Sequence, residues 1–146
     1  MKIAIVKLSS LGDIIHTMVV LQFIKKYQPN SEIHWIVEER FKAVLEGNPN
    51  INKIHTVNLK SIKRNKSIKL LMTELSKVKS FGNYDIVIDF QGLIKTAIIC
   101  KCISTKKIVG FDWDSVREAV ASLVYNQKVN IGYDKNTILR YAKLAS

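Results

Sequence analysis

The 146-residue sequence is short of the residues that interrupt or staple a chain: 2 prolines, 6 glycines and 2 cysteines. So few glycines and prolines exclude a low-complexity linker or a Gly/Pro-rich disordered segment. No apolar run approaches the ~18–20 residues that a membrane span needs. The opening Met-Lys-Ile-Ala-Ile-Val-Lys is broken by charge and is followed by no small-residue cleavage site, so it does not read as a signal peptide. Cys100 and Cys102 fall two apart in an apolar helical stretch, which points them to different faces and makes them poor partners for a metal. They read as reduced thiols of a cytoplasmic protein. Acidic residues are scarce too: 12 Asp and Glu against 23 Lys and Arg leave a net charge of +11. Such an excess calls for an anionic partner, whether nucleic acid, an acidic membrane surface or a phosphorylated substrate.

Hydrophobic residues make up 47% of the chain, enough for one globular domain spanning residues 1–146. Strand-like and helix-like segments alternate. Strands are expected at Lys2–Lys7, Glu32–Val37, Lys53–Asn58, Tyr84–Phe90 and Lys106–Phe111. Helices are expected at Asp13–Tyr27, Glu38–Leu45, Asn65–Lys79, Leu93–Cys102, Asp114–Tyr125 and Lys135–Leu144. Near-continuous apolar strands between helices specify an α/β fold, with a doubly wound, mostly parallel Rossmann-like sheet covered on both faces. Ligands of such sheets collect beyond the carboxyl ends of the strands. Four segments lie there: Leu8–Asp13, Glu38–Arg40, Asp89–Lys95 and Gly110–Arg117.

The first of these, Lys7-Leu-Ser-Ser-Leu-Gly-Asp13, carries only Gly12 where a dinucleotide fold needs G-x-G-x-x-G, and it has no P-loop ending. A nicotinamide-dependent oxidoreductase is therefore disfavoured. Ser9 or Ser10 can cap the following helix with Asp13 complementing its dipole. Equally, Asp13 can be a carboxylate held in the crevice as a general base. From Lys60 to Lys79 there are seven cations (Lys60, Lys63, Arg64, Lys66, Lys69, Lys77 and Lys79) against Glu74 alone. That imbalance is either a solvated helix face or an anion-binding surface. In Asp89-Phe-Gln-Gly-Leu-Ile-Lys95, Asp89 or Gln91 can cap the next helix. Lys95 stands near that helix's unfavourable positive end, which suggests a ligand role. Arg117 is expected one turn into the helix after Gly110-Phe-Asp-Trp113, with Trp113 a packing residue. His16, His34 and His55 are scattered and suggest no metal site. No RNA- or DNA-binding motif accompanies the charge, and aromatics do not interleave with the cations.

Four stretches together resemble the lipopolysaccharide heptosyltransferases of glycosyltransferase family 9, type I rather than type II. They are Ile5–Thr17, Trp35–Glu39, Asn83–Thr96 and Gly110–Asn126, in the family's order over nearly the whole chain. The resemblance implies the amino-terminal, acceptor-binding domain of a two-domain GT-B enzyme, with the donor domain outside these 146 residues and the chain alone inactive. It implies inverting transfer of L-glycero-D-manno-heptose from ADP-heptose to Kdo-lipid A in lipopolysaccharide inner-core synthesis. No metal or other cofactor is implied. Asp13 matches the family's base, Ser9 and Ser10 the loop around it, and Lys60, Lys63, Arg64 and Arg117 the acceptor-binding region. Lys95 joins that region on the helix-end argument above. The family commonly has arginine at the positions of Lys60 and Lys63, and lysine keeps the charge without the bidentate fork. Peripheral contact with the anionic cytoplasmic face of the inner membrane is expected, and nucleic acid is not. A stand-alone anionic glycolipid- or nucleic-acid-binding module is the alternative.

Overall fold

A computed structural model describes residues 1–132 and 134–146, apart from the side chains of Ile138 and Leu139. Among the described residues, six strands form one sheet in which every pairing is parallel, in the order β3-β2-β1-β5-β7-β8. These are β1 (Lys2–Val6), β2 (Glu32–Glu38), β3 (Lys53–Val57), β5 (Ile86–Asp89), β7 (Ile108–Phe111) and β8 (Gln127–Val129). Two-residue strands β4 (Asn83–Tyr84) and β6 (Ser104–Thr105) pair with each other beside it. The central strands are buried on both faces: Ile3, Ala4, Ile5 and Val6 of β1 and Ile33, Trp35, Ile36 and Val37 of β2 are all in the core.

The helices are α1 (Leu11–Tyr27), α2 (Lys42–Leu45), α3 (Leu59–Asn65), α4 (Ile68–Lys79), α5 (Ile94–Cys102) and α6 (Thr137–Ala145). Right-handed crossovers put α1 and α2, which step from β1 toward β3, on one face of the sheet. The same rule puts α3, α4 and α5 on the other. Contacts agree: α6 packs on α1, while α4 packs on α5, and α5 on a short 3-10 helix at Ala119–Val124.

Three expectations are corrected. The helix expected from Asn65 begins at Ile68, because Lys66 turns left-handed at φ 47° and Ser67 caps a fresh start through Leu70 N–H, and a separate helix, α3, precedes it over Leu59–Asn65. The helix over Asp114–Tyr125 does not form. Asp112 Oδ1 accepts from Ser115 N–H at 2.9 Å, a local turn that competes with helix, and only the 3-10 segment follows. Arg117 therefore sits in a bend between the turn and the 3-10 segment. Trp113 is 53% exposed and no part of the core.

Candidate active site at the carboxyl ends of the strands

The loop between β1 and α1 separates two clefts. Its backbone is pinned from β5 side: Gln91 Oε1 accepts from Leu8 N–H at 2.9 Å and Ser9 N–H at 3.2 Å. Gln91 Nε2 returns a bond to Ser9 Oγ at 3.2 Å. Gln91 is itself held by Asp89, which is fully buried and accepts from Gln91 N–H, Gly92 N–H, Thr96 Oγ and Tyr125 OH. Burial raises the Asp89 pKa, and those four donors work against the rise. Neither Asp89 nor Gln91 caps α5 at its first N–H. Glu118 Oε2, arriving from 24 residues away, accepts from Ile94 N–H at 2.6 Å.

Two glycines make this packing fit. A Cβ on Gly110 would lie 2.2 Å from the Tyr125 ring, so glycine lets that ring cross β7 toward Asp89. Gly92, at φ 69°, would drive a Cβ to 2.8 Å from Val116, next to Arg117.

Asp13 lies in the first turn of α1, and its Oδ2 accepts from Ser10 N–H at 3.3 Å and Ser10 Oγ–H at 3.0 Å. The carboxylate is thus part of a capping box and also lines the first cleft. Partial burial opposes its ionisation. The Lys7 ammonium and the two Ser10 donors outweigh that effect and hold its pKa below the ordinary value.

The first cleft, about 310 Å³, gathers Lys7, Asp13, Gln91, Arg117, Arg140 and Tyr141, with Lys135 at its rim. Lys7, Arg140 and Tyr141 are cleft residues that sequence reasoning missed. Lys7 is the most buried of the cations. It is 3% exposed, and its Nζ donates to Tyr141 OH at 2.8 Å and Phe90 O at 3.3 Å. Burial pushes its pKa down to about 8, despite the pull of Asp13 and Asp89 toward the charged form. Its place as the last polar residue before the loop was the available signal. Arg140 and Tyr141 gave none, since only the docking of α6 brings them here.

The second cleft, about 530 Å³, brings together Ser9, Arg40, Lys60, Lys63 and Lys95, with Glu38 as the one acid. Its walls include the apolar Leu59, Ile62 and Leu71. Glu38 Oε1 accepts from Lys60 N–H at 3.1 Å, which anchors the start of α3 against β2. Arg64 is not brought into this cleft. It lines a smaller one of about 250 Å³ with Asn58, Lys60 and Ser61.

The histidines are not all scattered. His34 Nδ1 lies 3.2 Å from His55 Nε2 and 2.8 Å from Tyr84 OH, and His34 Nε2 lies 2.6 Å from Glu32 Oε1. Strands β2 and β3 pair Ile36 with His55, which brings His55 diagonally beside His34. Among the described residues no three His, Cys, Asp or Glu side chains form a group that could hold a metal. Nor is any described helix long and apolar enough to cross a membrane.

The profile of glycosyltransferase family 9 (heptosyltransferase) matches residues 74–146. The chain is 46% identical over 146 residues to lipopolysaccharide heptosyltransferase 1 of Campylobacter coli, covering 100% of this chain and 41% of that protein. It is 31% identical over 147 residues to the protein of that name from Escherichia coli K12, covering 99% and 46% respectively. It therefore spans somewhat under half the length of the curated relatives it matches. The solved E. coli heptosyltransferase WaaC with ADP-2-deoxy-2-fluoro heptose superposes at a TM-score of 0.91 with 30% identity, over 99% of this chain and 47% of that one. E. coli ADP-heptose lps heptosyltransferase II, at 18% identity and a TM-score of 0.72, shares the fold.

Proposed function

Because the chain belongs to glycosyltransferase family 9, the heptosyltransferases, we propose that it is the acceptor-binding part of a lipopolysaccharide heptosyltransferase of type I. On this reading L-glycero-D-manno-heptose passes from ADP-heptose to Kdo-lipid A with inversion. The acceptor enters from the cationic cleft, where Lys60, Lys63 and Lys95 meet its phosphates and carboxylates and Ser9 lines the floor. Arg64 adds charge from the neighbouring cleft. Its reacting hydroxyl reaches Asp13, flanked by Lys7 and Arg117. As that oxygen attacks the anomeric carbon, Asp13 takes its proton and ADP leaves with the electron pair of the broken bond. The donor is held by sequence outside this chain, a reading supported by the relatives' greater length and by the ADP-heptose analogue in the WaaC structure. No metal or other cofactor is assigned: side-chain cations neutralise the acceptor. The protein is placed in the cytoplasm, on the inner membrane, with nucleic acid no partner.

One observation carries the reading: an ionised carboxylate, Asp13, stands one loop away from a cleft lined by four cations and one acid. The test is acceptor binding. Changing Lys60, Lys63 and Arg64 together to alanine should weaken binding of Kdo-lipid A and flatten its salt dependence, since fewer charges remain to be screened. Most of the loss should come from Lys60 and Lys63, which share the cleft. Unchanged affinity would return these cations to a solvated face. Nucleic acid binding that survived the triple change, without affinity for Kdo-lipid A, would favour the alternative module.

A further inference from the structure

On the sheet face covered by α4, α5 and the 3-10 helix, three neighbouring elements turn apolar side chains outward. Ile68 and Met72 of α4, Ile94 and Ile98 of α5, and Val120 and Leu123 of the 3-10 helix are each between 44% and 78% exposed. Helix α4 has one buried residue, Val78, so its apolar side is largely uncovered. Cations border the same surface. Helix α4 carries Lys69, Lys77 and Lys79 against Glu74, which pairs with Lys77 at 3.9 Å, and Lys95 and Lys101 stand beside the exposed Ile94 and Ile98 of α5, which has no acid at all. Glu118, the nearby acid, is engaged with the Ile94 N–H.

Helix α1 on the opposite face also exposes apolar residues, Leu11, Ile15, Val19, Phe23 and Tyr27. It carries less charge: Lys25 and Lys26, both at the far end, stand against Asp13, and α6 packed on it adds Lys143 at the surface while its Arg140 lines the first cleft. Apolar side chains interleaved with unbalanced lysines fit the headgroup boundary of an anionic bilayer, where one sinks and the other meets lipid phosphate. The α4–α5 face has both properties, and the α1 face has one.

We propose that the face formed by α4, α5 and the Ala119–Val124 helix is the surface on which this protein lies against an anionic lipid bilayer. The proposal rests on the glycolipid-acceptor reading above for its use. The second cleft opens between α3, α4 and α5, with Leu71 of α4 and Lys95 of α5 in its lining. A protein docked on this face sets the mouth of that cleft at the membrane, so a lipid-anchored acidic saccharide reaches it without leaving the bilayer. Membrane contact of this kind needs no spanning helix.

The experiment is flotation of the 146-residue chain with vesicles of phosphatidylcholine alone or mixed with phosphatidylglycerol. Binding to the mixed vesicles, weakened by salt, is expected, with little binding to the neutral ones. Lys69→Gln with Lys101→Gln should weaken binding to mixed vesicles about 25-fold, at about fivefold for each cation near an anionic surface. Ile98→Ser with Leu123→Ser should weaken it about tenfold or more, through lost apolar burial. Val19→Ser with Phe23→Ser on α1 should leave it unchanged. Circular dichroism checks the fold of each variant, and calorimetry with deacylated Kdo-containing saccharide checks the acceptor cleft separately.

Failure of the wild-type chain to float, with saccharide binding intact, overturns the docking face and leaves the acceptor reading standing. Loss of both overturns the acceptor reading as well. An equal loss in the α1 variant puts the contact on the wrong face. If the chain fails to float and instead dimerises through Ile98 and Leu123, the face belongs to a second copy and the proposal falls.

Discussion

Replacing Lys7 with methionine separates what this buried cation does for the fold from what it does for the site. Burial lowers the Lys7 pKa from 10.5 to about 8, so the folded state disfavours its charge. Below pH 8 the lysine is protonated in both states, and its burial costs the folded chain the full difference. A depression of roughly 2.5 units corresponds to about 3 kcal/mol. Methionine removes that cost but also the hydrogen bonds to Tyr141 OH and Phe90 O, worth about 1 kcal/mol or somewhat more together. The net expectation is that Lys7→Met stabilises the chain by about 1–2 kcal/mol at pH 7. The sign reverses with pH. As pH rises from 8 to 10.5 the unfolded lysine still holds its proton while the folded one has lost it, so wild-type stability climbs relative to the variant. The variant's advantage should vanish by about pH 10.5, leaving it slightly less stable. Urea denaturation of both proteins at pH 7 and pH 10.5 measures this directly. Affinity for the acidic saccharide should fall in the variant at pH 7, because the cleft loses a cation beside Asp13. A variant less stable than wild type at pH 7 would refute the account and make Lys7 a structural residue.

In a polypeptide extending to the relatives' length, Asp13→Asn should lower kcat by roughly 10²–10⁴-fold, the usual contribution of a positioned base. Acceptor Kd should change little, since the amide is nearly isosteric and still accepts from Ser10. Near-wild-type kcat in a folded variant would reduce Asp13 to its capping role. The His34–His55–Tyr84 cluster should make the chain acid-labile. Burial lowers the pKa of both histidines, that of His55 to about 4, with Lys2 and Lys53 adding to the effect and Glu32 opposing it at His34. The unfolded chain takes up protons below pH 6.5 that the folded chain refuses. Stability should therefore drop as pH falls from 6.5 toward 4, by up to about 3 kcal/mol for His55. Thermal melts of His34→Gln with His55→Gln should show a shallower loss over that window, and an identical slope would remove the histidines from the account.

Much of the fold was legible because its signals are local. The apolar runs of β1, β2, β5 and β7 and the intervening helical periodicity are read over five to fifteen residues, and they specify parallel strands covered on both faces. The rule that ligands gather at strand ends marks the segments that hold Ser9, Asp13, Arg40, Lys95 and Arg117, and all five line one of the two clefts, whereas Ser10 from the same loop lines neither. Asp13 was visible for a further reason: its capping partner Ser10 is three residues away.

What escaped was set by distant parts of the chain. Strand β8, Gln127–Val129, is three residues with little apolar signal, and it exists because β7 offers an open edge. The pattern over Asp114–Tyr125 suits a helix, but Asp112 Oδ1 captures the Ser115 N–H first. His34 and His55 looked unrelated until the β2–β3 register set them side by side. Sequence alone therefore determined the layered α/β fold, the cationic balance and the position of Asp13, all written in short-range pattern and composition. Tertiary structure alone decided which cations share a cleft. Lys63 and Arg64 are neighbours in the chain yet line different clefts, and Lys7 meets Tyr141 across 134 residues, because helical rotation and the return of α6 onto α1 are settled by packing.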